Sequence, residues 1–126
     1  MQIENLNVII VAWGPGAEFP YYNNAATNIR IVGKEISLLV NLIKDIYYGI
    51  DPHTFRIHCV GHSLGAHTCG NAGSNSEIRF DRITGLDPAN QFFENTNELV
   101  RLDPGDAKYV DAIHTSMGTI LTGSFG

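Results

Sequence analysis

The chain has 126 residues, which is enough for one domain with a hydrophobic core. Its 44% hydrophobic and 17% charged residues are typical of a folded protein and exclude an intrinsically disordered chain. The net charge of -5, without a stripe of Lys and Arg, argues against nucleic-acid binding and favours neutral or hydrophobic partners. No apolar run approaches the roughly 20 residues of a membrane-spanning helix.

The first half of the chain predicts a buried strand and then a long helix. Residues 6–13 form a nearly continuous apolar run, as in a parallel strand that is covered on both faces. Between residues 23 and 48, apolar residues recur every three or four positions, which predicts an amphipathic helix. Gly49 ends this helix, and Asp51-Pro52 turns the chain toward the next strand.

The sequence Gly61-His62-Ser63-Leu64-Gly65 indicates a nucleophile elbow, in which a strand ends at a serine and turns directly into a helix. Strand-forming residues precede it and small residues suited to a closely packed helix follow it, which disfavours an ordinary glycine-rich turn. We expect Gly61 and Gly65 to let the strand and the helix pack closely. Ser63 is the candidate nucleophile, and the Leu64 N–H is placed to stabilise an oxyanion.

Two further strands are predicted downstream of the elbow. Residues 78–86 lead to Asp87-Pro88, and residues 107–114 alternate like a strand after a long irregular segment. Strands that alternate with helices predict the α/β class. In α/β-hydrolases the acid follows the serine in the chain, so Asp87 is the candidate acid; a capping role is the alternative.

The cysteines and the first residues say little about the cellular compartment. Cys59 falls in a predicted strand and Cys69 in the following helix, and we expect these side chains to face apart as two buried free thiols. Residues 1–7 have neither the basic region nor the apolar core of a secretory signal. The protein is therefore intracellular, or its start has been cut from a longer chain.

Most of the chain resembles secreted lipases of the pancreatic lipase type and their phospholipase A1 relatives. The resemblance runs through residues 22–33, Gly61-His62-Ser63-Leu64-Gly65-Ala66-His67, residues 82–89, residues 98–111 and Ile113-His114-Thr115. It implies that residues 1–126 are part of a single α/β-hydrolase domain, a partial form of that fold. It also implies an extracellular serine hydrolase that acts on lipid esters at a lipid–water interface. Ser63 would be the nucleophile, Asp87 the acid and the Leu64 N–H half of the oxyanion hole.

The same resemblance implies a structural calcium site and no organic cofactor. Glu98 and Arg101 would contribute backbone carbonyls, while Asp103 and Asp106 would contribute carboxylates. Calcium is a hard cation that takes six to eight oxygen ligands, so carboxylates two to four residues apart on a loop suit it. Without the resemblance, a solvated acidic loop would be the simpler interpretation.

Two parts of the family's catalytic machinery are expected outside these residues. One is the upstream His-Gly stretch that supplies the second oxyanion-hole amide, and the other is the triad histidine downstream. His114 satisfies the order Ser, Asp, His, but the family has a histidine here besides its catalytic one, so we expect a structural role. His62 and His67 belong to the elbow pattern, and His53 and His58 are most simply structural.

Two other functions are compatible with the sequence. One is a noncatalytic lipid-binding module or inactive remnant on the same fold, although binding does not require a strained Ser63. The other is an intracellular serine esterase of a different hydrolase family, against which the segment of residues 98–106 argues. Triacylglycerol, phospholipid and galactolipid all remain candidate substrates.

Overall fold

A three-stranded parallel sheet lies at the centre of the fold, in the computed structural model that describes residues 6–18, 20–47 and 55–115. The strands are β1 (His58–His62), β2 (Arg82–Leu86) and β3 (Val110–Ile113), the helices are α1 (Tyr22–Tyr47) and α2 (Leu64–Asn75), and short 3-10 turns span Gly14–Gly16, Glu98–Val100 and Pro104–Asp106. The strand order is β1-β2-β3, with α2 connecting β1 to β2. The predicted α/β class is confirmed, with strands shorter than their apolar runs.

The register of the sheet brings the ends of the three strands to one edge. His62 pairs with Leu86, and Leu86 in turn pairs with Ile113. Because all three strands run in the same direction, the residues that follow them meet at the carboxyl edge, where open parallel sheets place their active sites.

The core lies between α2 and the sheet. Phe80 and Ile83 are fully buried there against Ala72, and every residue of α2 from Ala66 to Gly73 is buried. Burying a side chain the size of Phe80 contributes roughly 2 to 3 kcal/mol to stability. α2 is therefore a central element of the fold, and its first turn is held in place by the core behind it.

The long helix predicted over residues 23–48 is confirmed as α1, and it packs against α2. Its buried residues are spaced by four positions, as expected for one helical face: Ala25, Ile29, Gly33 and Ser37. A side-chain carbon at Gly33 would lie 2.6 Å from the Asn71 Cβ, which shows how closely the two helices approach. Within the described residues, neither α1 nor α2 combines the length and the apolar character needed to cross a bilayer. The predicted turn at residues 49–52 lies outside the described residues.

The predicted strand at residues 6–13 is wrong for the described structure. These residues form no strand, and Val8 and Ile10 are 78% and 87% exposed. A strand needs a neighbour to satisfy its backbone groups. In the described part of the chain β1 pairs only with β2, so the apolar run lies apart from the sheet.

The predicted free thiols are also wrong, because Cys59 and Cys69 form a disulfide with their Cα atoms 5.8 Å apart. The chain folds back at Ser63, so α2 lies over the strand that precedes it and both cysteines enter the same core cluster. A bridge with a sequence separation of 10 stabilises a fold by roughly 3 kcal/mol through the entropy of the unfolded chain. It closes the loop that carries Ser63.

Candidate active site

Ser63 occupies a strained backbone position between β1 and α2. Its φ of 54° and ψ of -119° lie outside the regions that L-residues prefer, and such conformations cluster at functional sites. The Ser63 N–H donates to the Leu86 carbonyl over 3.0 Å, which anchors the turn to β2. Ser63 stands at the N-cap of α2, yet its side chain makes no capping hydrogen bond. The hydroxyl is therefore not used to cap the helix.

The two glycines of the elbow have different roles. A side-chain carbon at Gly61 would collide with the Gly65 carbonyl and stand 2.6 Å from the Ala66 nitrogen. At Gly65, the same atom would meet nothing within 4 Å among the described residues. Our expectation that both glycines relieve crowding therefore holds for Gly61 alone, because the backbone of Gly65 is what approaches Gly61.

We expect Gly61→Ala to destabilise the complete protein by about 3 kcal/mol, since an extra carbon at a backbone contact forces the strand and helix apart. Gly14→Ala is the matched control, because a carbon there meets nothing within 4 Å and should change stability by less than about 0.5 kcal/mol. Denaturant titration of both variants measures the difference. Equal midpoints would show that the elbow tolerates a side chain at Gly61.

Asp87 follows β2 directly, as Ser63 follows β1. Its φ is 48°, its N–H donates to the Ile113 carbonyl over 2.7 Å, and its carboxylate accepts hydrogen bonds from the Thr115 N–H (3.1 Å) and Oγ1 (2.8 Å). Because the preceding residues of the two strands are paired, Ser63 and Asp87 leave the sheet side by side at its carboxyl edge. The structure thus brings the predicted nucleophile and acid to neighbouring positions.

His67 lies one helical turn after Ser63 and connects α2 to two loops. Its Nε2 is 2.8 Å from the Ala89 carbonyl, and its Nδ1 accepts a hydrogen bond of 3.0 Å from the Leu102 N–H. The ring also stacks on Phe93 with centroids 3.9 Å apart. Burial lowers the His67 pKa, and the two contacts suit a neutral ring that is protonated at Nε2. The sequence marked this histidine only as part of the elbow pattern.

Two aspartates stabilise one short turn within residues 98–106, which we call the acidic segment. Asp106 Oδ2 accepts from the Asp103 N–H and Asp103 Oδ1 accepts from the Gly105 N–H, each over 2.8 Å. Asp106 is buried, and burial raises its pKa to about 6. The turn packs on α2, where a side-chain carbon at Gly70 would lie 2.6 Å from Asp106 Oδ2. α2 therefore contacts the acidic segment through both His67 and Gly70.

The other two residues of the candidate calcium set differ in exposure. Glu98 is exposed at the start of its 3-10 turn, whereas the half-buried Arg101 donates to the carbonyls of Leu102 (3.2 Å) and Thr96 (3.4 Å). Among the described residues no three His, Cys, Asp or Glu side chains are grouped to hold a metal. The predicted set needs only two carboxylates and two carbonyls, and the hard oxygen donors of this turn suit calcium.

His114 is exposed just after β3, and Thr115 donates two hydrogen bonds to the Asp87 carboxylate. His114 lines a pocket of about 540 Å³ together with Pro88 and Arg101.

The His58 Nε2 is 2.9 Å from the Thr84 hydroxyl within the sheet, which fits the structural role predicted for His58.

We expect His114→Ala to leave the rate of ester hydrolysis by the complete protein within about 5-fold of the wild-type rate, because the catalytic histidine is expected outside these residues and an exposed side chain contributes little. Initial rates on a short-chain ester measure this. A loss of several orders of magnitude would instead identify His114 as the catalytic base.

Comparison with known proteins identifies the family. The protein-family model described as Lipase matches residues 1–126. The chain is 46% identical over 121 residues to a mouse (Mus musculus) pancreatic triacylglycerol lipase, covering 95% of this chain and 25% of that protein. It is also 46% identical over 121 residues to a guinea pig (Cavia porcellus) pancreatic lipase-related protein 2, and over 120 residues to human (Homo sapiens) pancreatic triacylglycerol lipase, covering 27% and 25% of those proteins and 95% of this chain. The chain thus spans about a quarter of the length of these relatives, and it belongs to the lipase family.

Proposed function

We propose that the complete protein hydrolyses carboxylic esters of lipids through an acyl-enzyme on Ser63, and that residues 1–126 are part of one α/β-hydrolase domain. The observation that carries this proposal is the strained serine at the turn from β1 to α2, with its hydroxyl free of a capping role and Asp87 beside it at the sheet edge. Two of the relatives named above are triacylglycerol lipases, so triacylglycerol is the first substrate to test. Phospholipid and galactolipid are the next.

In the proposed reaction the Ser63 Oγ attacks the ester carbonyl and transfers its proton to a histidine that we expect outside these residues. The carbonyl oxygen becomes an oxyanion, which the Leu64 N–H stabilises from the first turn of α2, where amides have no acceptor within the helix. The same histidine then protonates the departing alcohol, and water later releases the fatty acid from Ser63. Asp87 orients this histidine and stabilises its charged form.

A fluorophosphonate ester tests the proposal directly, because it phosphonylates only an activated serine. We expect the complete protein to gain one phosphonyl group, which peptide mass spectrometry should locate on Ser63. A folded protein that binds lipid vesicles but stays unlabelled would instead be a noncatalytic binding module.

The disulfide favours an extracellular location over the intracellular esterase considered above. Cys59 and Cys69 are bridged, and structural disulfides persist in oxidising compartments while cytosolic thiols stay reduced. The bridge therefore supports the secreted location that the resemblance implies.

We also propose that the acidic segment holds a structural calcium ion. Asp103 and Asp106 would supply carboxylate oxygens, and Glu98 and Arg101 their backbone carbonyls. The burial of Asp106 supports a nearby cation, because a buried carboxylate is costly in its charged form unless a positive charge lies beside it. Bound calcium would supply positive charge that holds this turn against α2.

We expect calcium at about 100 times its dissociation constant to stabilise the complete protein by roughly 2.7 kcal/mol. Protein stripped of calcium with EGTA and then given calcium should therefore gain several degrees in Tm. Asp106→Asn should abolish this rise. Glu77→Gln is the control, because Glu77 is an exposed acid paired with Lys44 away from the segment. An Asp106→Asn protein that responds to calcium like the wild type would show that the acidic segment is not the calcium site.

A further inference from the structure

The ring of His67 holds together three parts of the candidate site. Ala89, whose carbonyl it contacts over 2.8 Å, comes two residues after Asp87. Leu102, whose N–H donates a hydrogen bond of 3.0 Å to the ring, lies between Arg101 and Asp103. His67 itself stands on α2, four residues after Ser63. One side chain therefore joins the nucleophile helix, the loop after the acid and the acidic segment.

The chemistry of this position requires an imidazole. The Ala89 carbonyl needs a donor and the Leu102 N–H needs an acceptor, and a neutral imidazole provides one of each on opposite sides of a rigid ring. His67 is 4% exposed and its ring stacks on Phe93 with a centroid separation of 3.9 Å, so the ring has little freedom to turn. Its two hydrogen bonds consequently fix the separation between the two loops.

We propose that His67 is a positioning residue that couples the acidic segment to the catalytic acid. Its Nδ1 contact holds the segment, and its Nε2 contact holds the loop that follows Asp87. When a cation binds and Leu102 shifts, His67 moves Ala89 with it. The position of the Asp87 carboxylate beside Ser63 changes as a result. This proposal rests on the proposed hydrolase function and on the proposed calcium site, because it links the two.

Two substitutions separate the contacts of the ring. The amide of His67→Gln reaches about as far as Nε2 and keeps a donor for the Ala89 carbonyl, but it loses the acceptor for Leu102. The amide of His67→Asn reaches about as far as Nδ1, so it keeps the Leu102 contact and loses Ala89. His67→Phe keeps the ring volume and the stacking on Phe93 and loses both hydrogen bonds.

The expected results form a crossed pattern in the complete protein. His67→Asn and His67→Phe lower kcat and the rate of Ser63 phosphonylation by about 100-fold, the effect of a misplacement of about 1 Å, with KM little changed. His67→Gln keeps the Ala89 contact, so it lowers both rates by only about 5-fold, and it loses the calcium-dependent rise in Tm. His67→Asn retains that rise, which a purely structural role would not predict.

Ile83→Val is the matched control for lost stability, since Ile83 is fully buried in the core away from the site. The coupling is overturned if His67→Asn and His67→Gln both show a lower Tm, a lower catalytic rate and no calcium-dependent rise in Tm, and if Ile83→Val shows the same losses at a similar Tm. Unlabelled wild-type protein would defeat the hydrolase proposal instead. Wild-type protein labelled at Ser63, with all His67 variants labelled at the normal rate, would defeat only the role of His67.

Hydrogen exchange of the wild-type protein provides a test that does not depend on the folding of a variant. Adding EGTA should increase amide exchange in peptides that cover residues 88–93 as well as in those that cover residues 99–106. An increase confined to residues 99–106 would overturn the coupling. No change in either set of peptides would instead defeat the proposed calcium site, on which the coupling depends.

Discussion

Ser63→Ala is expected to lower the kcat of the complete protein on a lipid ester by about 10⁶-fold, the loss seen when a serine nucleophile is removed from a catalytic triad. The reason is chemical, because alanine has no oxygen that can form the acyl-enzyme. Alanine keeps the Cβ, so the strained backbone with φ of 54° is no worse accommodated than before. The Ser63 side chain makes no capping bond to α2, so we expect Tm to change by only a few degrees.

Initial rates on emulsified triacylglycerol and a fluorophosphonate labelling assay measure this prediction. Ser74→Ala is the control, since Ser74 is an exposed serine near the end of α2 whose hydroxyl donates to the Asn71 carbonyl over 3.2 Å. That variant should keep its rate and its labelling. A Ser63→Ala protein that is still labelled would place the reactive serine elsewhere in the complete protein.

The sequence was most informative where one local conformation satisfies several requirements at once. The elbow needs Gly61 where the helix backbone crosses the strand, a strained serine two residues later, and small residues in the helix that follows. All of these are written in one short stretch, and the structure forms the strand, the turn and the helix there. The long helix was equally predictable, because a spacing of three to four residues defines its buried face.

Features that depend on contacts between distant residues were not predictable in this way. The disulfide was missed because cysteines in a strand and in its following helix are expected to face apart, whereas here the helix folds back over the strand. The apolar run of residues 6–13 predicted a buried strand, but strand formation requires a neighbour, which a pattern of hydrophobicity does not report. Its side chains are instead exposed.

The environment of His67 was missed for the same reason. Its two backbone partners are 22 and 35 residues away in the chain, so no local motif could reveal them. In the sequence Gly70 is likewise one small residue among several, although a side chain there would contact Asp106. Residues buried on a central helix acquire such roles only from the loops that fold onto them.

Asp87→Asn is expected to lower kcat by about 10⁴-fold, as does removing the charge of the triad acid in serine proteases. Asparagine keeps the shape and an oxygen that can accept from the Thr115 N–H or Oγ1, but it loses the charge that stabilises an imidazolium. Asparagine also tolerates the left-handed backbone with φ of 48°, which makes it a better test than alanine.

Thr115→Val is the matched variant, because it removes the 2.8 Å hydroxyl contact to the carboxylate while leaving the charge of Asp87 in place. We expect it to lower kcat by only about 10-fold, the loss of one hydrogen bond to a charged group. Kinetics of both variants, with Tm as the check on folding, separates charge from orientation. Equal losses in the two would mean that Asp87 acts by holding the end of β3, whereas a much larger loss in Asp87→Asn assigns its role to the negative charge beside the triad histidine.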